Sequence, residues 1–419
     1  MDLAMADHSP FVVPLDATCT VPVPEGSHFP IQNLPFGLAR LPDGSRSVVV
    51  RIGDQAIVLR ELIQIGRVSG PPGWVGESLT GLGTAGARDL RRQIVELLGE
   101  ATDPLQGALL SVESVQLQLP FKIPAFVDFY SGIHHASNVG TMFRPEMPPL
   151  LPNYRHLPVA YNGRASTVVP SDTAVRRPSG QTKSASEEVP RFGPTTELDF
   201  ELEMGFFVSE EIEPGHPVAP DDAERKMLGL VLVNDWSARD VQRWEYQPLG
   251  PFLAKSFATS ISPWVVTLDA LEPFRAPGPL QEPAPLPHLS MARSHHFDLV
   301  LEVYLQSQRM TRPQLVSRSN AAHLYWSFAQ QLAHLTSNGC GSEAGDLYAS
   351  GTISGPDPSS FGSMLELAWK GTKPLELSES GEFRSYLADG DTVTMTAYGA
   401  RDGLKIGLGE VRGTVLPAT

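Results

Sequence analysis

The most constraining stretch of the chain is Glu197-Leu198-Asp199-Phe200-Glu201-Leu202-Glu203-Met204-Gly205-Phe206-Phe207, in which acidic and apolar residues alternate. Side chains on a β-strand point to opposite faces with period two, so the pattern predicts one half-buried strand. Leu198, Phe200, Leu202, Met204 and Phe206 then face a core, while Glu197, Asp199, Glu201 and Glu203 line the other side. Same-face neighbours lie about 7 Å apart, and at an effective dielectric of about 20 each enclosed pair of like charges costs roughly 2 kcal/mol. Two kinds of relief are open. Water relieves the repulsion if the acids sit on an exposed edge strand. A hard divalent cation relieves it by turning converging carboxylates into oxygen ligands.

Length and charge bound the possibilities. A chain of 419 residues has room for two or three cores on a prior of roughly 150 residues each. With 47 acidic against 32 basic side chains and a formal charge of −15, nucleic acid and anionic membranes are excluded as expected partners. An anionic small substrate then needs locally placed Arg and Lys. Cys19 and Cys340 have no metal-site spacing, and so sparse a cysteine content points to a reducing compartment. The N-terminus carries Asp2 and Asp7 with no apolar run behind them, and no 18-residue apolar stretch exists. These features predict a cytoplasmic protein without signal peptide or membrane span.

Residues 1–120 read as a small β-rich unit. Ser47–Arg51 and Gln55–Leu59 are strands around Gly53-Asp54, and Ala87–Gly99 is a helix with Leu90, Ile94, Leu97 and Leu98 on one stripe. Residues 121–419 hold the unusual side chains. Phe126–Tyr130 reads as a strand carrying Asp128 and Tyr130, followed by a helix start at Ser131–His135. Ser171–Thr196 reads as a polar surface loop. Leu228–Val233 is a buried strand ending in Asn234-Asp235, and the helix after it puts Arg239, Gln242 and Tyr246 on one face. Trp264–Thr267 is assigned to a further strand, and the proline-rich Leu271–Ser290 to an extended loop. His295-His296 opens an alternating strand and lacks a third ligand nearby, so it is set aside as a metal site. Tyr325–Leu335 reads as an amphipathic helix, and Ser350–Pro356 as a loop able to cradle an anion. Ser363–Trp369 reads as a strand with an isolated Glu366, a carboxylate that needs a partner because a buried unpaired charge is costly.

Asp128, Glu201, Glu203 and Asp235 thus come from three separate strands with no Cys or His at ligand spacing. Oxygen-only ligation means calcium or magnesium rather than zinc. The same residues lie in D-F-Y-S-x-x-x-H-A-S-N-V-G at 128–140, H-L-P-V-A-Y-N-G-R-A-S at 156–166, E-L-E-M at 201–204, N-D-W-S-A-R-D-V-Q-R-W-E-Y at 234–246, P-L-G-P-F-L-A-K-S-F at 248–257 and G-T-I-S-G-P at 351–356. In these segments the chain resembles the fumarylacetoacetate hydrolase family from about Phe29 to Pro417.

That resemblance implies a mainly β (α+β) protein, with an N-terminal SH3-like barrel over 1–120 and a catalytic mixed β-roll over 121–419. It further implies a homodimer that hydrolyses a diketo acid in tyrosine and phenylalanine breakdown. By resemblance, Asp128, Glu201, Glu203 and Asp235 hold Ca2+, and Asp235, Lys255 and Thr259 surround Mg2+. Lys255 can ligate only through its carbonyl, because an ammonium has no lone pair. His135 matches the base and Glu366 the carboxylate that orients it, with His134 standing where the family pattern has Gln. Arg239, Gln242 and Lys255 match the oxyanion donors, and Tyr130, Arg144, Tyr161, Gln242, Tyr246 and Thr352 the substrate contacts.

The chemistry asks for such groups independently. Splitting a 1,3-diketone with water needs a base, donors for a tetrahedral oxyanion and an electron sink for the departing carbon. Two other readings remain open on the residues. A magnesium-dependent acylpyruvate hydrolase or decarboxylase shares the E-x-E and the later Asp but has a shorter chain. A non-catalytic calcium-binding protein would leave His135, Glu366, Arg239 and Lys255 without a role.

Overall fold

The computed structural model describes residues 9–100, 105, 107–184 and 186–419. Asp2 and Asp7, used above to argue against a signal peptide, lie outside the described residues. The protein is mainly β, built from mixed sheets with short helices between them.

The N-terminal strands form a five-stranded antiparallel sheet in the order Leu109–Ser111, Gln55–Val58, Arg46–Ile52, Phe36–Arg40, Gln116–Gln118. The helix Gly83–Leu98 packs beside it and buries Leu90, Ile94, Leu97 and Leu98, the stripe that a 3.6-residue period requires. Arg91 is buried on the same helix, its guanidinium donating to the carbonyls of Phe11 and Gln32. This apolar core runs on without a break into Phe207, Leu228, Val231, Val233 and Leu347 of the sheet described next.

That sheet has seven strands in the order Ala160–Asn162, Phe126–Phe129, Leu347–Ala349, Leu202–Val208, Met227–Asp235, Thr259–Ile261, Val168–Pro170. Its opposite face packs through Leu202, Met204, Phe206, Leu230 and Leu232 against Leu299, Leu301, Val303, Val393 and Met395. Leu301, Val303, Val393 and Met395 belong to a five-stranded sheet built around Val300–Gln306, Thr392–Arg401 and Leu404–Leu416. The two long closing strands pair antiparallel across a turn at Asp402-Gly403.

Four expectations need correction. The acidic run is not one half-buried strand: it splits into Leu198–Asp199 and Leu202–Val208, pairing with different partners, and the second piece is buried on both faces. Being central in its sheet, it is covered by core on each side. Residues 171–196 are not merely a loop, since Ser179–Thr182 and Arg191–Pro194 pair as an antiparallel hairpin. Trp264–Thr267 makes no ladder, because Val265 bonds to Phe36 and Val266 to Leu230, so adjacent residues serve different sheets. The strand proposed at Ser363–Trp369 is a one-turn helix, Met364–Leu367. Its start follows the Ser-x-x-Glu spacing of a capping box, and Ser363 accepts from the Glu366 amide. This local cap outweighs the period-two pattern.

Candidate active site

Register brings the acids together. Asp128 pairs with Ala349 on one side and Tyr161 on the other. Asn234 lies opposite Leu202, which leaves Glu201 beside Asp235, and Thr259 lies opposite Asp235. All four carboxylates of Asp128, Glu201, Glu203 and Asp235 are buried, and they offer oxygens within 4.8 Å of one another.

The surroundings neutralise only part of this charge. Lys255 Nζ donates to Asp235 Oδ2 at 2.7 Å and makes a short contact with Glu201 Oε2. Asp235 also accepts from Tyr161 Oη at 2.7 Å and Thr259 Oγ1 at 2.8 Å. The amide of Gly351 donates to Asp128 Oδ1 at 3.1 Å and Glu203 Oε2 at 3.0 Å. Only glycine serves there: φ is +76°, and an added Cβ would sit 2.2 Å from the Phe129 carbonyl oxygen. Glu203 Oε1 is buried with no partner.

Protonation follows the same division. Burial raises Glu201, but Lys255, Arg239 and His135 outweigh it and hold its carboxyl below the ordinary range. Burial pushes Glu203 well above that range, with Asp128 and Glu201 adding repulsion. Asp128 is likewise pushed up by burial and by Asp235. One ammonium therefore serves Glu201 and Asp235, while Asp128 and Glu203 remain uncompensated. An orphaned carboxylate oxygen within an oxygen-only donor set fits a hard divalent cation.

Beside the acids, His135 Nδ1 lies 2.6 Å from Glu366 Oε2. Glu366 also accepts from Asn138 Nδ2 at 2.8 Å and from the hydroxyls of Ser354 and Ser363, each at 2.8 Å. Burial raises its carboxyl, yet His135, Asn138 and Ser363 bring it below the ordinary value. A charged carboxylate holding Nδ1–H leaves Nε2 as the basic nitrogen, and that atom lies 3.9 Å from Glu201 Oε1. His134, one residue earlier, instead packs edge-on against the ring of His323 at 5.8 Å.

Arg239 is fully enclosed. Its Nε donates to Asp199 Oδ2 at 2.7 Å, and its Nη1 lies 2.7 Å from Glu201 Oε1 and 3.0 Å from Gln242 Oε1. Its Nη2 has no protein partner. Tyr130 stacks edge-on to His135 at 5.5 Å, its phenol pushed up by burial and by the nearby Glu366 and Glu201 charges. Arg144 acts on the same phenol in the opposite sense. Thr352 is buried with an unpartnered Oγ1, on the loop that supplies the Gly351 amide. Tyr246 caps the Arg239–Glu245 helix, and no hydrogen bond links its side chain to the acids.

Sequence reasoning missed Asn138, Ser354 and Ser363, which surround Glu366. Asn138 sits three residues beyond His135 on the same helix face, a spacing that could have marked it. A cavity of about 1790 Å³ lined by Thr84, Arg88, His216, Asp221 and Arg275 contains none of these groups. Size alone does not locate the chemistry.

An imidazole–carboxylate pair with one basic nitrogen free, set against buried donors and an acidic cluster, supplies the groups that a hydrolase uses. A family model described as fumarylacetoacetate (FAA) hydrolase C-terminal matches residues 125–416. The fumarylacetoacetase of Rattus norvegicus is 46% identical over 413 residues, covering 95% of this chain and 98% of its own. That of Homo sapiens is 45% identical over 413 residues with the same coverage, and that of Caenorhabditis elegans 45% over 416, covering 95% and 99%. The chain belongs to the fumarylacetoacetase family. In fold it is also similar to a fumarylacetoacetate hydrolase from Exiguobacterium antarcticum, at TM-score 0.52 and 16% identity over 92% of this chain and 99% of that one. A 5-carboxymethyl-2-hydroxymuconate delta-isomerase from Mycobacterium smegmatis has TM-score 0.50 at 17% identity, covering 92% and 100%. No helix among the described residues is long and apolar enough to cross a membrane.

Proposed function

We propose that this protein hydrolyses 4-fumarylacetoacetate to fumarate and acetoacetate, the closing step of tyrosine and phenylalanine breakdown. The observation that carries the reading is the His135–Glu366 pair at 2.6 Å, with His135 Nε2 free beside the four-carboxylate cluster.

In this reading Tyr130, Arg144, Tyr161, Gln242, Tyr246 and Thr352 hold the diketo acid. His135 Nε2 takes a proton from water, and the imidazolium so formed is stabilised by Glu366. The resulting hydroxide adds to the carbonyl carbon. Arg239, Gln242 and Lys255 donate to the tetrahedral oxyanion, a role supported by the unpartnered Arg239 Nη2 and by Gln242, whose amide oxygen is already taken. The carbon–carbon bond breaks and its electron pair stays on the acetoacetate carbon, which receives the proton held by His135. Asp128, Glu201, Glu203 and Asp235 would hold a divalent cation, which would supply Lewis-acid chemistry to the cleavage. Ca2+ is the ion we assign to the carboxylates, and Mg2+ to the surroundings of Asp235, Thr259 and the Lys255 carbonyl.

We further assign residues 1–120 to an SH3-like barrel and 121–419 to the catalytic β-roll, in a cytoplasmic homodimer. The test is turnover: loss of the diketone absorbance of fumarylacetoacetate, with fumarate and acetoacetate identified as products. Turnover of acylpyruvates with none of fumarylacetoacetate would replace this reading by the acylpyruvate hydrolase one.

A further inference from the structure

Asp199 lies in the acidic run but outside the four-carboxylate cluster. Its strand is only two residues long, Leu198–Asp199, and pairs with Ser237-Ala238 so that Asp199 faces Ser237. Arg239 begins its helix immediately after that pairing. The Asp199 side chain is wholly buried.

Both of its oxygens are used. Oδ2 accepts from Arg239 Nε at 2.7 Å and from the Leu365 amide at 3.0 Å, and Oδ1 accepts from the Met364 amide at 2.6 Å. Met364 and Leu365 open the one-turn helix whose third residue is Glu366. One carboxylate thus ties two otherwise separate parts of the site. On one side is the guanidinium that also reaches Glu201 and Gln242. On the other is the turn that aims Glu366 at His135. The break in the acidic run at Phe200-Glu201 gives Asp199 a backbone path of its own, separate from that of Glu203.

We propose that Asp199 is a positioning residue for the hydrolysis, setting the distance between the oxyanion donor Arg239 and the His135–Glu366 pair. It touches neither substrate nor reacting atoms. Misplacement of a reacting group by about 1 Å costs about 10²-fold in rate, and Asp199 governs two such groups at once. An aspartate here does what an asparagine cannot, because the carboxamide nitrogen would face Arg239 Nε or a main-chain amide, donor against donor.

The inference rests on the functional reading above, so wild-type turnover of fumarylacetoacetate is the first arm. No wild-type turnover removes the functional reading and this inference with it. With wild type active, Asp199→Asn is compared at saturating Ca2+ and Mg2+. The expected result is kcat lower by about 10²-fold or more with KM changed by less than about threefold. The downfield imidazole Nδ1 proton of His135, followed by NMR, shifts or broadens in the variant. Calcium affinity measured by calorimetry stays within about threefold of wild type, since no ligand is altered. If D199N does not accumulate as folded protein, Asp199→Ser, which keeps an acceptor for one amide and frees the guanidinium, carries the same expectation. A folded variant with kcat within about threefold of wild type, or with an unchanged His135 proton signal, overturns the proposal while leaving the functional reading intact.

Discussion

Replacing Glu366 by Gln keeps the volume of the side chain and removes the charge that His135 needs once it has accepted a proton. Ser354 and Ser363 hydroxyls can rotate, and the Asn138 carboxamide can turn its oxygen inward, so the packing survives. The ion pair does not. With Nδ1 and Oε2 at 2.6 Å, the delocalised charges are centred about 4 Å apart, and at an effective dielectric of about 20 they attract by roughly 4 kcal/mol. That attraction exists only after proton transfer, so its loss falls on the transition state and lowers kcat by about 10³-fold. KM stays within about threefold, because Glu366 contacts no substrate in this scheme. The assay is the decay of diketone absorbance at saturating fumarylacetoacetate, beside a thermal melt that confirms folding. A folded Glu366→Gln enzyme that loses less than about tenfold in kcat would show that His135 works without its carboxylate, and the proposed dyad would fall.

Three further outcomes follow from other contacts. His135→Ala abolishes measurable turnover while substrate binding persists, whereas His134→Ala stays within about threefold of wild type because its ring faces His323; the reverse pattern in steady-state assays moves the base by one residue. Lys255→Met removes the only ammonium between Glu201 and Asp235 among the described residues, so the metal-free protein loses about 3–5 kcal/mol in chemical denaturation. Saturating Ca2+ restores its melting temperature but not its activity, and recovery of both would deny Lys255 a role in the reaction. Glu224 gives a pH test away from the site: burial raises its carboxyl, but His295 and Arg275 bring it down to about 2 from an ordinary 4.5. A depressed carboxyl stabilises the folded state above its ordinary value and loses that contribution as pH falls, here about 3 kcal/mol in all. The melting-temperature gap between wild type and Glu224→Gln therefore shrinks steadily from about pH 5 to pH 3, and a gap independent of pH would contradict the pairing.

Much of the site was legible because its residues sit on regular elements. Period two put Glu201 and Glu203 on one face, and the end of a buried apolar run put Asp235 where strands deliver ligands. The Arg239–Glu245 helix appears where its polar spacing placed it. What the pattern hid is tertiary. Alternation continues straight through Phe200-Glu201, so nothing local announces that Asp199 leaves the strand to hold another helix. Glu366 among apolar neighbours looks the same in a strand and in a one-turn helix, and only the Ser363-to-Glu366 spacing favours the helix. Val265 and Val266 are apolar because each meets a different sheet, a circumstance that composition cannot distinguish from a strand. Asp199 and Glu203 carry the same kind of charge on the same kind of pattern, yet one finds an arginine and two amides while the other keeps a bare oxygen. Only the fold separates them.

In the proposed function the carboxylates of Asp128, Glu201, Glu203 and Asp235 hold a divalent ion on which turnover depends. The measurement strips the protein with chelator, adds Ca2+ or Mg2+ in steps, and records bound metal and fumarylacetoacetate turnover on the same samples. Turnover that is absent at the start, rises in proportion to occupied sites, and fails to return in Asp128→Asn or Glu203→Gln is the predicted result. Full activity in protein shown by elemental analysis to hold no divalent ion would contradict it.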